Sequence, residues 1–132
     1  ARRQRQMCIR DRLGSVGTVL EVPETDMDIV TAISGSGPAY FFLMVEAMID
    51  AGVAMGLTRP VAAELAIGTI AGSAKMLQES GKTPAQLREA VTSPGGTTAA
   101  GLRAFEDGGF RSTIYEVLDA VAEKSKEMHP KM

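Results

Sequence analysis

Apolar residues recur with helical spacing over most of this chain, and one short stretch near its start departs from that rule. Val16-Gly17-Thr18-Val19-Leu20-Glu21-Val22 alternates loosely and is ended by Pro23, which predicts one short strand or extended segment with no sheet to join. Thr25 or Asp26 then offers an N-cap for a short helix through about Ile33, and Ser34–Gly37 breaks it. Pro38 suits the first turn of a long helix to about Met55, with Gly56 as its stop. Glu46 and Asp50 are the only charges on that helix. A helix apolar almost all round must be buried on most sides or span a membrane. Two carboxylates near the middle and a clear glycine stop argue for burial, against other helices and a second subunit.

The next pattern runs from about Pro60 to Glu79 and is rich in small residues: Ala62, Ala63, Ala66, Gly68, Ala71, Gly72 and Ala74. Small side chains let helix backbones approach closely, and Gly81 ends the run. Thr83-Pro84-Ala85-Gln86 has the form of a capping box with proline at the first helical position, so a short third helix follows, with Leu87, Ala90 and Val91 on one face. A fourth is predicted from about Thr98 to Asp107, stopped by Gly108-Gly109. The last runs from Phe110 or Arg111 to Glu127, with Phe110, Ile114, Val117, Leu118 and Val121 on one stripe. Lys124 and Lys126 in its final turn suit the negative end of its dipole.

Composition agrees with an all-α domain. The chain has 132 residues, enough for one core, and only 5% of them are aromatic, with no tryptophan. Charge adds an asymmetry that the net −2 hides. The first dozen residues carry five arginines against Asp11, while the remainder carries nine basic and fifteen acidic residues. An acidic body argues against a nucleic-acid role. The basic leader lacks the apolar run of a secretory signal; it could pass for a nucleic-acid arm or an Arg-rich transit segment, but reads rather as a non-native or disordered segment over residues 1–12. Cys8, the single cysteine, has no partner for an internal disulfide.

The candidate chemistry lies in glycine-rich turns. In Ser93-Pro94-Gly95-Gly96-Thr97-Thr98 a Pro-Gly-Gly turn joins two helical patterns and opens the second with two hydroxyl residues, leaving backbone N–H groups free at a helix start. Such a backbone can bind a small anion. By spacing alone, the same residues also suit a plain helix–turn–helix connection. Gly35-Ser36-Gly37-Pro38-Ala39 begins like a dinucleotide fingerprint, but Tyr40 stands where the third glycine belongs and no parallel-strand unit precedes it. It is not a Rossmann loop. Glu46 and Asp50, four apart, could be an acid/base pair or metal ligands. No histidine or third carboxylate accompanies them, and they read as the wetter side of a helix. Arg111 after Gly108-Gly109 suits either an anion or a pair with Glu106 or Asp107. His129 beside Pro130 reads as solvated.

Taken in order and at their separations, the Ser34–Tyr40, Ala90–Leu102 and Gly108–Ser112 motifs closely resemble the carboxy-terminal domain of the pyrroline-5-carboxylate reductase family, over about Leu13 to Met128. The resemblance implies reduction of 1-pyrroline-5-carboxylate to L-proline with NADPH or NADH in the cytoplasm. It also implies a helical dimerisation domain over 25–128 whose first helices interleave with those of a homodimer partner, many members assembling further into rings of dimers. Residues 13–24 would then be the remnant end of a dinucleotide-binding domain, whose absence would leave this part inactive alone. Carried over by motif, Ser93, Gly95, Gly96, Thr97 and Thr98 hold the substrate carboxylate, Thr98 reaches the ring nitrogen, and Ser36, Gly37 and Pro38 face the nicotinamide end of the cofactor. No metal is implied. Two rival readings stand beside this one: a non-catalytic dimerisation module, or another two-domain reductase such as a β-hydroxyacid dehydrogenase, whose substrate-helix lysine only Lys75 could match.

Overall fold

A computed structural model describes residues 21–129. Among the described residues there is no strand, and the fold is all-α as expected. The helices are α1 (Met27–Val30), α2 (Gly37–Ala54), α3 (Arg59–Glu79), α4 (Pro84–Ala90), α5 (Thr97–Asp107) and α6 (Phe110–Met128). A 3₁₀ turn, Glu24–Asp26, leads into α1, and a π-turn, Thr31–Gly35, follows it. Glu21, Val22 and Pro23 have no regular structure. The rest of the expected strand, the basic leader and Cys8 lie outside the described residues.

Two boundaries differ from the sequence-based expectation. Asp26 does precede α1, but its side chain makes no capping hydrogen bond; a 3₁₀ turn stands in front of it, with the Asp26 N–H bonded to the Pro23 carbonyl at 3.0 Å. The Ser34–Gly37 segment is not a loose break. The backbone continues through the π-turn and Ser36 into α2. The stop of α2 is as expected. Gly56 takes φ 119°, and the amides of Gly56 and Leu57 reach back to the carbonyls of Val53 and Gly52, both at 3.0 Å. That pair of bonds is a Schellman closure, which needs the positive φ that only glycine adopts freely.

The chain divides into two units, one formed by residues up to 41 together with those from 111 onward, the other by residues 42–110. In the first, Met27 and Ala32 are buried, and so is a polar pair. The Ser125 hydroxyl of α6 donates to Asp28 Oδ1 of α1 at 2.6 Å, and each residue is only 7% exposed. A carboxylate that deep needs such a donor. The apolar stripe of α6 holds as expected, with Ile114, Val117, Leu118 and Val121 all half-buried.

In the second unit the small residues of α3 do what the sequence suggests. Ala62 and Ala66 are buried, and a Cβ on Gly52 of α2 would stand 3.3 Å from the Ala62 Cβ, so the two backbones come close at that point. The Phe105 and Phe110 rings pack with centroids 4.7 Å apart. What the unit does not do is cover α2. Phe42, Leu43 and Met48 remain exposed, Phe42 by 72%, and Val61, Leu65 and Ile67 of α3 are exposed as well. Among the described residues no element lies over those side chains, so the burial expected for the Pro38–Met55 helix is only partly met by them. By length and composition alone, Glu24–Ala54 would suffice to cross a membrane.

Candidate functional site

The Ser93–Thr98 turn is delivered by α4, whose start is fixed by a complete capping box. Gln86 N–H donates to Thr83 Oγ1 at 3.1 Å, and Thr83 N–H donates to Gln86 Oε1 at 2.9 Å. At its far end the Thr92 hydroxyl donates to the Arg88 carbonyl, and the Thr92 N–H to that of Glu89, which ends the helix just before Ser93. The next four residues form a type II turn. Gly96 N–H donates to the Ser93 carbonyl at 3.1 Å, Pro94 takes the second corner, and Gly95 takes the third with φ 70°.

Gly96 is then the N-cap of α5, in extended conformation, its carbonyl accepting from the Ala100 N–H at 3.2 Å. Having no side chain, it cannot cap the helix it begins. The amides of Thr97, Thr98 and Ala99 are the first three of α5, where no carbonyl of the same helix can reach them. Bare amides at the positive end of a helix dipole suit a carboxylate. The Ser93 hydroxyl lies over the same cap: a Cβ on Gly96 would collide with Ser93 Oγ. Ser93, Gly95 and Thr97 are exposed, and Thr98 is half-buried. The five expected residues thus lie in the turn and in the first two positions of α5.

Ser36, Gly37 and Pro38 sit together in the other unit, at the junction of the π-turn with α2. Ser36 is half-buried, Gly37 buried and Pro38 exposed. The Ser36 N–H donates to the Thr31 carbonyl at 2.9 Å, and the Ser36 carbonyl accepts from Ala39 N–H at 3.1 Å. Ser34 Oγ donates to the Val30 carbonyl at 2.9 Å, and the Tyr40 hydroxyl donates to the Ala32 carbonyl at 2.7 Å. A Cβ on Gly37 would meet no atom within 4 Å outside its own helix and chain neighbours. Tyr40 is the residue that reading the sequence missed. Its contact eight residues back depends on the π-turn, and no spacing rule announces it.

Two of the remaining candidates, Asp50 and His129, make local contacts. Asp50 Oδ1 pairs with Arg59 Nη1 at 3.0 Å, leaving Glu46 without a second carboxylate free beside it. Arg103 of α5 approaches Asp107 at 3.9 Å, and exposed ion pairs join Lys124 to Glu127 and Lys126 to Glu123. His129 is exposed, its N–H bonded to the Ser125 carbonyl at 2.9 Å. Among the described residues no group of three or more His, Cys, Asp or Glu could hold a metal ion.

The family model described as pyrroline-5-carboxylate reductase dimerisation matches residues 24–128. The chain belongs to that family. It is 49% identical over 120 residues to a pyrroline-5-carboxylate reductase of Corynebacterium melassecola, and 45% identical over 120 residues to one of Glycine max, covering 91% of this chain and 44% of the relative in each case. Among solved structures, the pyrroline carboxylate reductase of Plasmodium falciparum with NADP bound superimposes with a TM-score of 0.82 at 44% identity, over 93% of this chain and 47% of that one. The enzyme from Coxiella burnetii gives 0.86 at 36% identity, over 97% and 48%. The chain thus spans less than half the length of the reductases it matches. Within the reductase family both turns fall inside the matched region.

Proposed function

We propose that the chain is the substrate-binding and dimer-forming part of a pyrroline-5-carboxylate reductase, which reduces 1-pyrroline-5-carboxylate to L-proline with NADPH or NADH in the cytoplasm. The observation that carries this reading is the turn at Ser93–Gly96. It leaves three amides of α5 uncapped beside the Ser93 hydroxyl, a donor set matched to one carboxylate. Ser93, Gly95, Gly96, Thr97 and Thr98 hold that carboxylate. Ser36, Gly37 and Pro38 face the nicotinamide. The main cofactor site belongs to the part of the protein that this chain does not include.

The chemistry asks little of acids and bases. The ring C=N carbon receives a hydride, which bound NADPH or NADH supplies, and the C=N electron pair moves onto nitrogen. The imine nitrogen is basic enough to carry its proton from water, so the protein's task is to orient the ring and keep the pocket dry. The carboxylate clamp fixes one end of the ring. Thr98, second residue of α5 and half-buried, accepts the iminium N–H beside it, since the ring nitrogen is bonded to the carbon that carries the carboxylate.

A second copy of the chain covers the exposed apolar residues of α2 and α3, giving a homodimer, and dimers assemble further into a ring. This reading assigns the Glu24–Ala54 stretch to a protein interface and not to a membrane, because Glu46 and Asp50 stand within it.

Kinetics of a Thr98→Ala variant of the full-length protein test the site. The turnover number should fall more than KM rises, by on the order of tenfold, in line with one hydrogen bond of about 1.5 kcal/mol that matters most as the iminium is consumed. Unchanged kinetics would remove Thr98 from the mechanism and leave the turn a purely backbone anion site.

A further inference from the structure

In an α-helix the N–H of Ser36 would bond to the carbonyl of Ala32, four residues back. Here it reaches one residue further, to Thr31 at 2.9 Å, and Ala32 loses that partner. Ala32 is 1% exposed, so no solvent reaches its carbonyl, and a buried carbonyl without a donor is costly. The Tyr40 hydroxyl takes the place of the missing amide at 2.7 Å. Two residues earlier, the Val30 carbonyl accepts from the Ser34 hydroxyl at 2.9 Å. Two side-chain hydroxyls thus sustain a backbone form that is rare by itself and that recurs at functional sites.

The turn sets how the following residues are presented. A π-turn holds one more residue than the α-turn it replaces, so reversion to α geometry would rotate Ser36 and Gly37 by roughly 100° about the helix axis. We infer that Tyr40 is a positioning residue: by satisfying the Ala32 carbonyl it locks the π-turn and holds Ser36, Gly37 and Pro38 in place against the nicotinamide end of the cofactor. The inference rests on the reading of those three residues given above. Tyr40 itself need not touch the cofactor.

The test uses the full-length reductase and two ligands, NADPH and 2′-phospho-ADP-ribose, which lacks the nicotinamide. Tyr40→Phe keeps the ring and removes only the hydroxyl. Its NADPH dissociation constant, followed by nicotinamide fluorescence, should rise about fivefold to tenfold, the scale of one hydrogen bond, while the affinity for 2′-phospho-ADP-ribose stays within about twofold. Turnover should fall with little change in KM for pyrroline carboxylate. Ser34→Ala, a milder change to the same turn, should give the same pattern at about twofold to threefold. Unchanged NADPH affinity in both variants, or equal weakening of both ligands, would overturn the inference, the latter marking a general loss of structure. Ser36→Leu separates the two layers of the argument. If it weakens NADPH while Tyr40→Phe does not, the inference alone fails; if it leaves both affinities unchanged, the placement of Ser36 at the nicotinamide fails with it.

Discussion

Helices α2 and α6 have almost the same length, 18 and 19 residues, and opposite relations to the chain that contains them. Along α6 the stripe Ile114, Val117, Leu118 and Val121 is half-buried, and the other face carries Glu116, Asp119, Glu123 and Lys126 in the open. Its inner side is anchored by the Ser125–Asp28 bond. Along α2 apolar side chains point every way, and Phe41, Phe42, Leu43 and Met48 stand exposed. Among the described residues there is therefore a partner surface for α6 and none for much of α2. Amphipathicity tells a helix which side to bury within its own fold; a helix without it is specified by something outside that fold.

A charge placed on each helix gives the largest test of that contrast. Phe42→Asp would put an unpaired carboxylate into the proposed dimer interface, at a cost on the order of 3–5 kcal/mol, enough to weaken association by about two to four powers of ten. Sedimentation should then show dissociation at low micromolar concentration, where the unaltered protein stays dimeric. Ala120→Asp on the exposed face of α6 should leave the dimer intact. If Ala120→Asp dissociates the protein and Phe42→Asp does not, the assignment of faces is reversed.

The two helices also show what was legible in the sequence and what was not. Local chemistry wrote most boundaries plainly: the Thr83–Gln86 capping box, the Gly56 stop and the stripe of α6 each depend on residues a few positions apart. The bond between Asp28 and Ser125 joins residues 97 apart, so no periodicity could announce it. The π-turn escaped notice because glycine and serine at Ser34–Gly37 suit a break equally well, and the Tyr40 hydroxyl that decides the matter lies beyond it. For the site, the Ser93–Gly96 turn type follows from Pro94 and Gly95 alone. Its assignment to a carboxylate came from resemblance, since the same residues make ordinary connections elsewhere.

A smaller effect is expected where α6 is held from inside. Ser125→Ala removes the donor from a carboxylate that is only 7% exposed, and the loss should be about 1–3 kcal/mol. Thermal melting at fixed protein concentration measures it. Replacing both residues, as Asp28→Leu with Ser125→Ala, should restore much of the stability, because no buried polar group is then left unpaired. An unaltered melting temperature for Ser125→Ala alone would mean that α6 is held by its apolar stripe only, and would weaken the contrast with α2.

The smallest effect concerns the one place where α2 carries charge toward a neighbour. Asp50 pairs with Arg59, the first residue of α3, at 3.0 Å, and both side chains are 60% exposed. Pairs so exposed contribute about 0.2–1 kcal/mol, since water screens them and two long side chains must be held still. Arg59→Met should therefore shift the melting temperature of the dimer by no more than a few degrees, and added salt should shrink the difference. The value of the measurement lies in its two possible sizes. A small, salt-sensitive loss means that Asp50 stays wet when two copies associate, so the proposed interface runs along α2 through Phe42 and Met48 and leaves the Asp50 edge outside. A loss of several kcal/mol that salt does not reduce would place the pair inside the interface, where an abandoned carboxylate is costly, and the boundary drawn along α2 would have to move.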